Sequence, residues 1–145
     1  MKKFILLIVV MFTLAMVSSA YAGKCPQPRK TKSAPTSFVK QDKIAKANKA
    51  NGKKIYNKTA KPIACKMCHG KTGVGDGKFG KRMKPQARNF TCKATMKKIS
   101  AGQMFWIIKN GSKGTGMIAH KNTLKDKEIW DVIKYIRTDL MKGNQ

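Results

Sequence analysis

Cys65-Lys66-Met67-Cys68-His69 is the stretch of this 145-residue sequence that decides its fold. Cys-x-x-Cys-His is the attachment signature of c-type haem. Two thioether bonds hold the porphyrin, and the histidine beside the second cysteine is placed to bind the iron from one face. The motif therefore predicts one covalent haem c, with Cys65 and Cys68 as the attachment residues and His69 as the proximal iron ligand.

Two other sites use a similar cysteine spacing. Cys65 and Cys68 could form half of a zinc site, but no second cysteine pair or histidine pair completes the four ligands. A thioredoxin-like redox pair requires a βαβ pattern around it, which the sequence lacks. Haem attachment is the interpretation that remains.

The first 22 residues have the organisation of a secretory signal peptide. Lys2 and Lys3 precede an apolar run at 4–17, and Ala20-Tyr21-Ala22 follows as a cleavage site. The run is shorter than the roughly 20 residues that span a bilayer, which favours a cleaved leader over a membrane anchor. We expect cleavage before Gly23 and export to the periplasm or an equivalent extracytoplasmic compartment.

The chain is strongly basic. Its formal charge is +26, and loss of Lys2 and Lys3 with the leader lowers it to +24. Export, the absence of a nucleic-acid motif and the even spread of the basic residues argue against nucleic acid as the partner. The charge favours docking on an acidic redox protein or a membrane oxidoreductase, or on an anionic membrane surface. A charge that serves solubility alone is the remaining alternative.

The sequence reads as an arm followed by one domain. Residues 23–41 are rich in Pro, Lys, Ser and Thr and predict a flexible basic N-terminal arm, and the domain occupies 42–145. Helical patterns cover 42–56, a stretch opened by the capping box at 100–103 and stopped at Asn110-Gly111, and a last helix opened at 123–126. No segment alternates like a strand. The prediction is an all-α fold with three to four helices around long loops.

Four segments resemble class I c-type cytochromes, the monohaem cytochrome c family, over roughly residues 48–140. They lie at 52–56, 73–77, 84–91 and 128–137. The resemblance implies a small cytochrome c fold in which the first and last helices cross. It places Gly52 and Tyr56 against Val132 and Tyr135.

Two departures from the family concern the iron ligands. Lys78 stands where the family usually has a proline whose carbonyl orients the proximal histidine, so the partner of His69 is unassigned. Ile118 follows Gly116-Met117, where the family has a proline after the distal methionine.

The sixth iron ligand has several candidates. The resemblance favours Met117, and Cys92 is the alternative because a free cysteine in an exported protein is expected to have a partner or a function. His120 or an open site completes the set. Cys92 could instead form a disulfide with Cys25, the only other cysteine outside the motif. A thioether ligand suits an electron shuttle, whereas a thiolate lowers the potential of the iron.

The leading functional hypothesis is a one-electron carrier that is not an enzyme. No catalytic triad, paired carboxylates or second metal cluster is apparent, and the chain has six acidic residues. The alternative is a low-potential haem protein with His/Cys ligation that binds NO or CO, as half of a heterodimer with another cytochrome. A second alternative is the electron-input subunit of a larger oxidoreductase.

Overall fold

The computed structural model of this chain describes residues 25–27 and 31–141. Across these residues the chain forms α-helices, 3-10 turns and π turns but no strand, which confirms the all-α prediction. The predicted signal peptide, residues 1–22, lies outside the described residues. Within the described part, no helix has the length and apolar character needed to cross a membrane. The helices are α1 (Thr36–Val39), α2 (Lys49–Lys54), α3 (Lys66–His69), α4 (Lys93–Met96), α5 (Ala101–Asn110) and α6 (Asp126–Tyr135).

Helices α2 and α6 each continue into a π turn, at Ile55–Thr59 and Ile136–Leu140 respectively. Helix α2 begins later than the predicted start at Asp42. Its cap is Asn48, whose side chain accepts a hydrogen bond from the backbone N of Asn51 at 3.0 Å. The residues before the cap form a separate 3-10 turn, Ile44–Lys46, so the apolar periodicity continued across a break in the helix.

The predicted boundaries of helix α5 agree with the structure, whereas helix α6 begins later than predicted. Helix α5 is capped by Ser100, whose Oγ accepts from the backbone N of Gln103 at 3.1 Å, and it ends at Gly111 with φ +74°, as predicted. The cap of helix α6 is Lys125, two residues beyond the predicted cap Thr123. The backbone N of Lys125 donates to Glu128 Oε2 at 2.7 Å, and this bond defines the helix start.

Helices α2 and α6 pack closely at Gly52. A Cβ on Gly52 would overlap the carbonyl of Asp131 and lie 2.9 Å from the backbone N of Val132. Next to this contact the rings of Tyr56 and Tyr135 meet edge to face, with centroids 5.4 Å apart. The packing of Gly52 and Tyr56 on Val132 and Tyr135 is therefore confirmed.

The buried carboxylate of Asp131 joins the two helices by hydrogen bonds. Its oxygens accept from the backbone N of Asn48 at 2.6 Å and from Nδ2 of Asn51 at 2.8 Å. Because the side chain of Asp131 is fully buried, these bonds replace the water that the charge gave up.

The N-terminal segment packs on the domain, unlike the flexible arm that its composition predicts. Helix α1 lies against α5, where the Phe38 ring stacks on Phe105 at 6.2 Å. Ala34 is buried, and its backbone N donates to Gln103 Oε1 at 2.7 Å. The two apolar side chains and this hydrogen bond attach residues 31–41 to the domain. Prediction from composition missed them because they are sparse among the polar residues.

A disulfide joins Cys25 to Cys92, with Cα atoms 5.5 Å apart and a sequence separation of 67. In the chain-entropy model, closing a loop of this length contributes about 4 kcal/mol of stability. Of the alternatives left open for Cys92, the structure has the disulfide. Cys92 is 2% exposed and lies outside the lining of the cavity described next.

Candidate haem site

A cavity of about 340 Å³ lies among α3, α5, α6 and the loops around them. Its size falls within the range of small-molecule and cofactor sites. The lining is mostly aliphatic, aromatic and thioether side chains, which suits a flat apolar ring. Its apolar members include Ile63, Phe79, Met83, Phe90, Met96, Met104, Ile107, Met117 and Ile136.

Cys65, Cys68 and His69 all line this cavity. One helical turn brings them together: the backbone N atoms of Cys68 and His69 both donate to the Cys65 carbonyl, at 3.2 and 2.9 Å. Burial raises the pKa of the Cys65 thiol to about 12, with a smaller contribution from Cys68, and burial also raises the pKa of Cys68. In the unmodified chain both cysteines are therefore neutral thiols.

His69 is buried with a defined tautomer. Its Nδ1 lies 3.0 Å from the carbonyl oxygen of Arg88. Because a carbonyl only accepts, Nδ1 carries the proton and Nε2 keeps a lone pair for a metal. Burial lowers the pKa of His69 to about 4, so the ring is neutral at pH 7. Its face stacks on the Phe90 ring, with centroids 4.4 Å apart.

The carbonyl of Arg88 is the hydrogen-bond partner of His69 that the sequence left unassigned. The family usually uses the carbonyl of a proline, and Lys78 stands at that position here. Hydrogen bonds to a glycine-rich loop place the Arg88 carbonyl: Phe90 N donates to the Gly73 carbonyl at 2.7 Å, and Gln86 Nε2 donates to the Gly75 carbonyl at 3.3 Å. Gly75 has φ +86°, and a Cβ there would lie 2.6 Å from the Ala87 carbonyl. The glycine thus allows the loop to approach the segment that orients His69.

Met117 also lines the cavity. The loop that carries it is fixed by two bonds: Met117 N donates to Thr115 Oγ1 at 3.1 Å, and the Met117 carbonyl accepts from Ser112 N at 3.0 Å. These bonds hold the loop although Ile118 replaces the proline of the family pattern.

His120 is a second cavity residue with a defined tautomer. Its Nδ1 lies 3.1 Å from the Lys61 carbonyl and 3.2 Å from Thr123 Oγ1. The carbonyl requires a donor, so the proton is on Nδ1 and Nε2 is the free nitrogen. Burial lowers the pKa of His120. His120 is therefore chemically suited to be an iron ligand, as His69 is.

Met83 is a cavity residue that the sequence did not reveal. A Cβ on Gly116 would lie 2.8 Å from Met83 Sδ, so this thioether sits beside the loop that carries Met117. Met83 comes from an aperiodic loop without a motif, and the sequence contains no signal that would have identified it. The role of the Arg88 carbonyl was missed for a similar reason, since a backbone group has no residue signature.

Two exposed apolar side chains lie at the edge of the cavity. Phe79 and Ile118 both line it and are 43% and 38% exposed. Lys78 Nζ lies 5.9 Å from the centre of the Phe79 ring, and exposed basic residues follow at 81, 82 and 84. Four of the six acidic residues lie in 126–139, on the last helix and its extension. The edge of the cavity is therefore an apolar patch within an excess of positive charge.

Within the described residues, no group of three or more His, Cys, Asp and Glu side chains is arranged to hold a metal ion.

The chain is similar to known proteins in sequence and in structure. The family model described as Cytochrome c matches residues 49–139. A chain of the Kuenenia stuttgartiensis reducing HAO-like protein complex Kustc0457/Kustc0458 is similar in structure, with 22% identity and a TM-score of 0.48. The alignment covers 82% of this chain and 48% of that one, so this chain spans about half its length. No curated protein matches the sequence.

Proposed function

Because this chain belongs to the cytochrome c family, we propose that it carries one electron at a time between redox partners, on a single haem c bound through Cys65 and Cys68. Members of this family are haem proteins of electron transfer. When bound, the haem supplies an iron that alternates between ferric and ferrous states.

The observation that carries the proposal is the state of His69 in the cavity wall. Its proton is fixed on Nδ1 by the Arg88 carbonyl, so Nε2 keeps a lone pair for iron in the cavity that the two motif cysteines also line. A histidine held in this way binds iron in a fixed orientation and with raised basicity. The apolar lining would limit the access of water to the haem. Fewer solvent dipoles then reorient when the iron changes charge, so the reorganisation energy of electron transfer stays small.

Met117 is the sixth ligand that we propose. It lines the same cavity as His69, on a loop held by Thr115 and Ser112. A thioether opposite a histidine raises the potential, which suits a carrier. Other donor side chains also line the cavity, and ligand spectroscopy of single variants distinguishes them: Met83, Met96, Met104 and His120.

The disulfide argues against the gas-binding alternative. That alternative depends on a thiolate from Cys92, whose sulfur is bonded to Cys25. The proposal as electron-input subunit of an oxidoreductase predicts a stable complex, which co-purification from the native source would detect. The disulfide also supports an exported protein, because such bonds persist in oxidising compartments.

The partner that we propose is an acidic redox protein or membrane oxidoreductase, docked at the edge of the cavity. There Phe79 and Ile118 offer apolar contact, and the lysines around them would orient an acidic surface. An anionic membrane surface would be attracted by the same charge.

Haem staining of a denaturing gel tests the covalent attachment on which the proposed function depends. Wild-type protein should keep its haem on a denaturing gel, whereas the double variant Cys65→Ala/Cys68→Ala should lose it. The matched control is Cys25→Ala/Cys92→Ala, which also removes two sulfur atoms and should keep the haem stain. Stain that persists in the first variant would show that the haem is attached elsewhere.

A further inference from the structure

Gln27 makes three hydrogen bonds to the segment that orients His69. Its Nε2 donates to the Ala87 carbonyl at 3.0 Å, and its Oε1 accepts from Asn89 N at 3.0 Å and from Arg88 Nη1 at 2.9 Å. We propose that Gln27 is a positioning residue, which holds the Arg88 carbonyl against Nδ1 of His69 and so tunes the iron. This inference rests on the proposed role of His69 as the proximal ligand.

One peptide unit links Gln27 to the histidine. The Arg88 carbonyl and the Asn89 N–H belong to the same planar amide. His69 Nδ1 donates to its oxygen and Gln27 Oε1 accepts from its N–H. The plane is therefore held at both ends. An amide whose N–H is hydrogen-bonded is also polarised, so its carbonyl is a stronger acceptor.

Gln27 is itself held in place from both sides. Two residues before it, Cys25 is bonded to Cys92, which lies three residues after Asn89. Four residues after it, Thr31 Oγ1 accepts from Arg88 Nη2 at 2.7 Å. The disulfide thus links the N-terminal segment covalently to the chain just after residues 87–89, to which Gln27 is hydrogen-bonded. The hydrogen bond from Arg88 to Thr31 holds the same segment at a second point.

The consequence for the iron follows from the strength of the His69 hydrogen bond. A strong acceptor at Nδ1 draws the proton away from the ring and makes Nε2 a better electron donor. Stronger donation stabilises ferric over ferrous iron and lowers the potential. Loss of Gln27 frees the amide to tilt and weakens the acceptor, so the potential should rise.

Gln27→Ala is the test, with Gln41→Ala as the matched control. Gln41 Nε2 bonds to the Ser37 carbonyl, within the N-terminal segment and apart from 87–89. Gln27→Ala should raise the midpoint potential, shift the His69 Nδ1 proton resonance of the reduced protein and speed solvent exchange of the Asn89 amide. Gln41→Ala should change none of these.

Two further variants distinguish loss of the Gln27 hydrogen bonds to residues 87–89 from a general loss of order in the N-terminal segment. Gln27→Glu keeps an acceptor for Asn89 N but no donor for Ala87, so slow exchange of the Asn89 amide should survive. Cys25→Ala/Cys92→Ala should raise the potential in the same direction. Combining Gln27→Ala with this disulfide variant should shift the potential by less than the sum of the two separate shifts, because both changes disrupt the same contact of Gln27 with residues 87–89.

The inference is overturned if Gln27→Ala folds, by circular dichroism, and leaves the midpoint potential, the His69 Nδ1 proton resonance and the exchange rate of the Asn89 amide as in the wild type. Full additivity of its shift with that of the disulfide variant would also overturn it. Failure of the proposed function is a separate outcome, seen in the wild type itself as a spectrum without a histidine-ligated covalent haem.

Discussion

Gly52 lies against the backbone carbonyl of Asp131, in a space that no side-chain carbon can share. The first and last helices of the domain meet at this point, and their contact fixes one wall of the haem cavity through Tyr56 and Val132. The glycine is therefore a packing residue, although by its own propensity it weakens a helix.

Gly52→Ala should lower the free energy of unfolding by about 1–3 kcal/mol, because the added methyl forces the two helices apart. Urea denaturation measures the change. Lys53→Ala, at an exposed position of the same helix, is the control and should stay within about 0.5 kcal/mol of wild type. A gain of about 1 kcal/mol from Gly52→Ala, as helix propensity alone would give, would contradict the close contact.

Asp131 should make the protein less stable in acid. Burial by itself would raise the pKa of this carboxyl, but hydrogen bonds from Asn51, Asn48 and Lys127 and the charge of Lys127 hold it below its ordinary value. The unfolded chain then takes up the proton first. This contribution is complete above the ordinary carboxyl pKa of about 4 and is lost as the pH falls through the folded value.

The measurement for Asp131 is the free energy of unfolding between pH 7 and pH 2. Asp131→Asn should flatten the decline below about pH 4, and it should also lower stability at pH 7 because it replaces an acceptor with a donor. A decline as steep in the variant as in the wild type would show that another group is responsible.

Met117→Ala should abolish the weak near-infrared charge-transfer band of thioether-to-iron coordination and open the iron to CO. The oxidised protein would be measured with and without the substitution, and the reduced protein with CO. Met83→Ala, which removes another thioether from the same cavity, is the matched control and should leave the band in place. Cys25→Ala/Cys92→Ala should also leave it in place.

Other outcomes of this series would identify another ligand. Loss of the band in Met83→Ala with Met117→Ala silent would move the assignment to Met83. A wild-type spectrum without the band that changes in His120→Ala would indicate two histidine ligands. A spectrum that changes only with the cysteine variant would favour the thiolate and a low-potential protein.

The lysines at the edge of the cavity should set the rate of electron transfer with anionic partners. Reduction by the hexacyanoferrate(II) ion should slow several-fold in Lys78→Glu/Lys81→Glu at low salt, because attraction is replaced by repulsion. The difference should fade as salt rises and the Debye length shortens.

Lys43→Glu/Lys46→Glu is the control for this charge reversal. It changes the net charge equally at exposed positions beside the first 3-10 turn, which contributes no side chain to the cavity. Its effect should be clearly smaller. Equal slowing in both variants would mean that only total charge matters.

The sequence predicted the parts of the site that depend on residue identity. Cys65, Cys68 and His69 were proposed because haem attachment requires one spacing, and the structure brings all three to one cavity. The contact of Gly52 with the last helix was implied by the resemblance to class I c-type cytochromes. The Arg88 carbonyl could not be found, since any residue supplies a carbonyl and only the folded loops select one. Gln27 was missed because its three bonds connect segments about 60 residues apart.

The Cys25–Cys92 bond encloses the whole Cys65–His69 motif within a ring of chain. With haem attached as we propose, the protein needs two opposite thiol fates: Cys25 and Cys92 are oxidised to a disulfide, while Cys65 and Cys68 must stay reduced for attachment. A wrong pairing among the four would consume a thiol required for haem. We therefore expect the yield of mature protein in a foreign host to depend on a reductant that keeps Cys65 and Cys68 as thiols and leaves the Cys25–Cys92 disulfide intact.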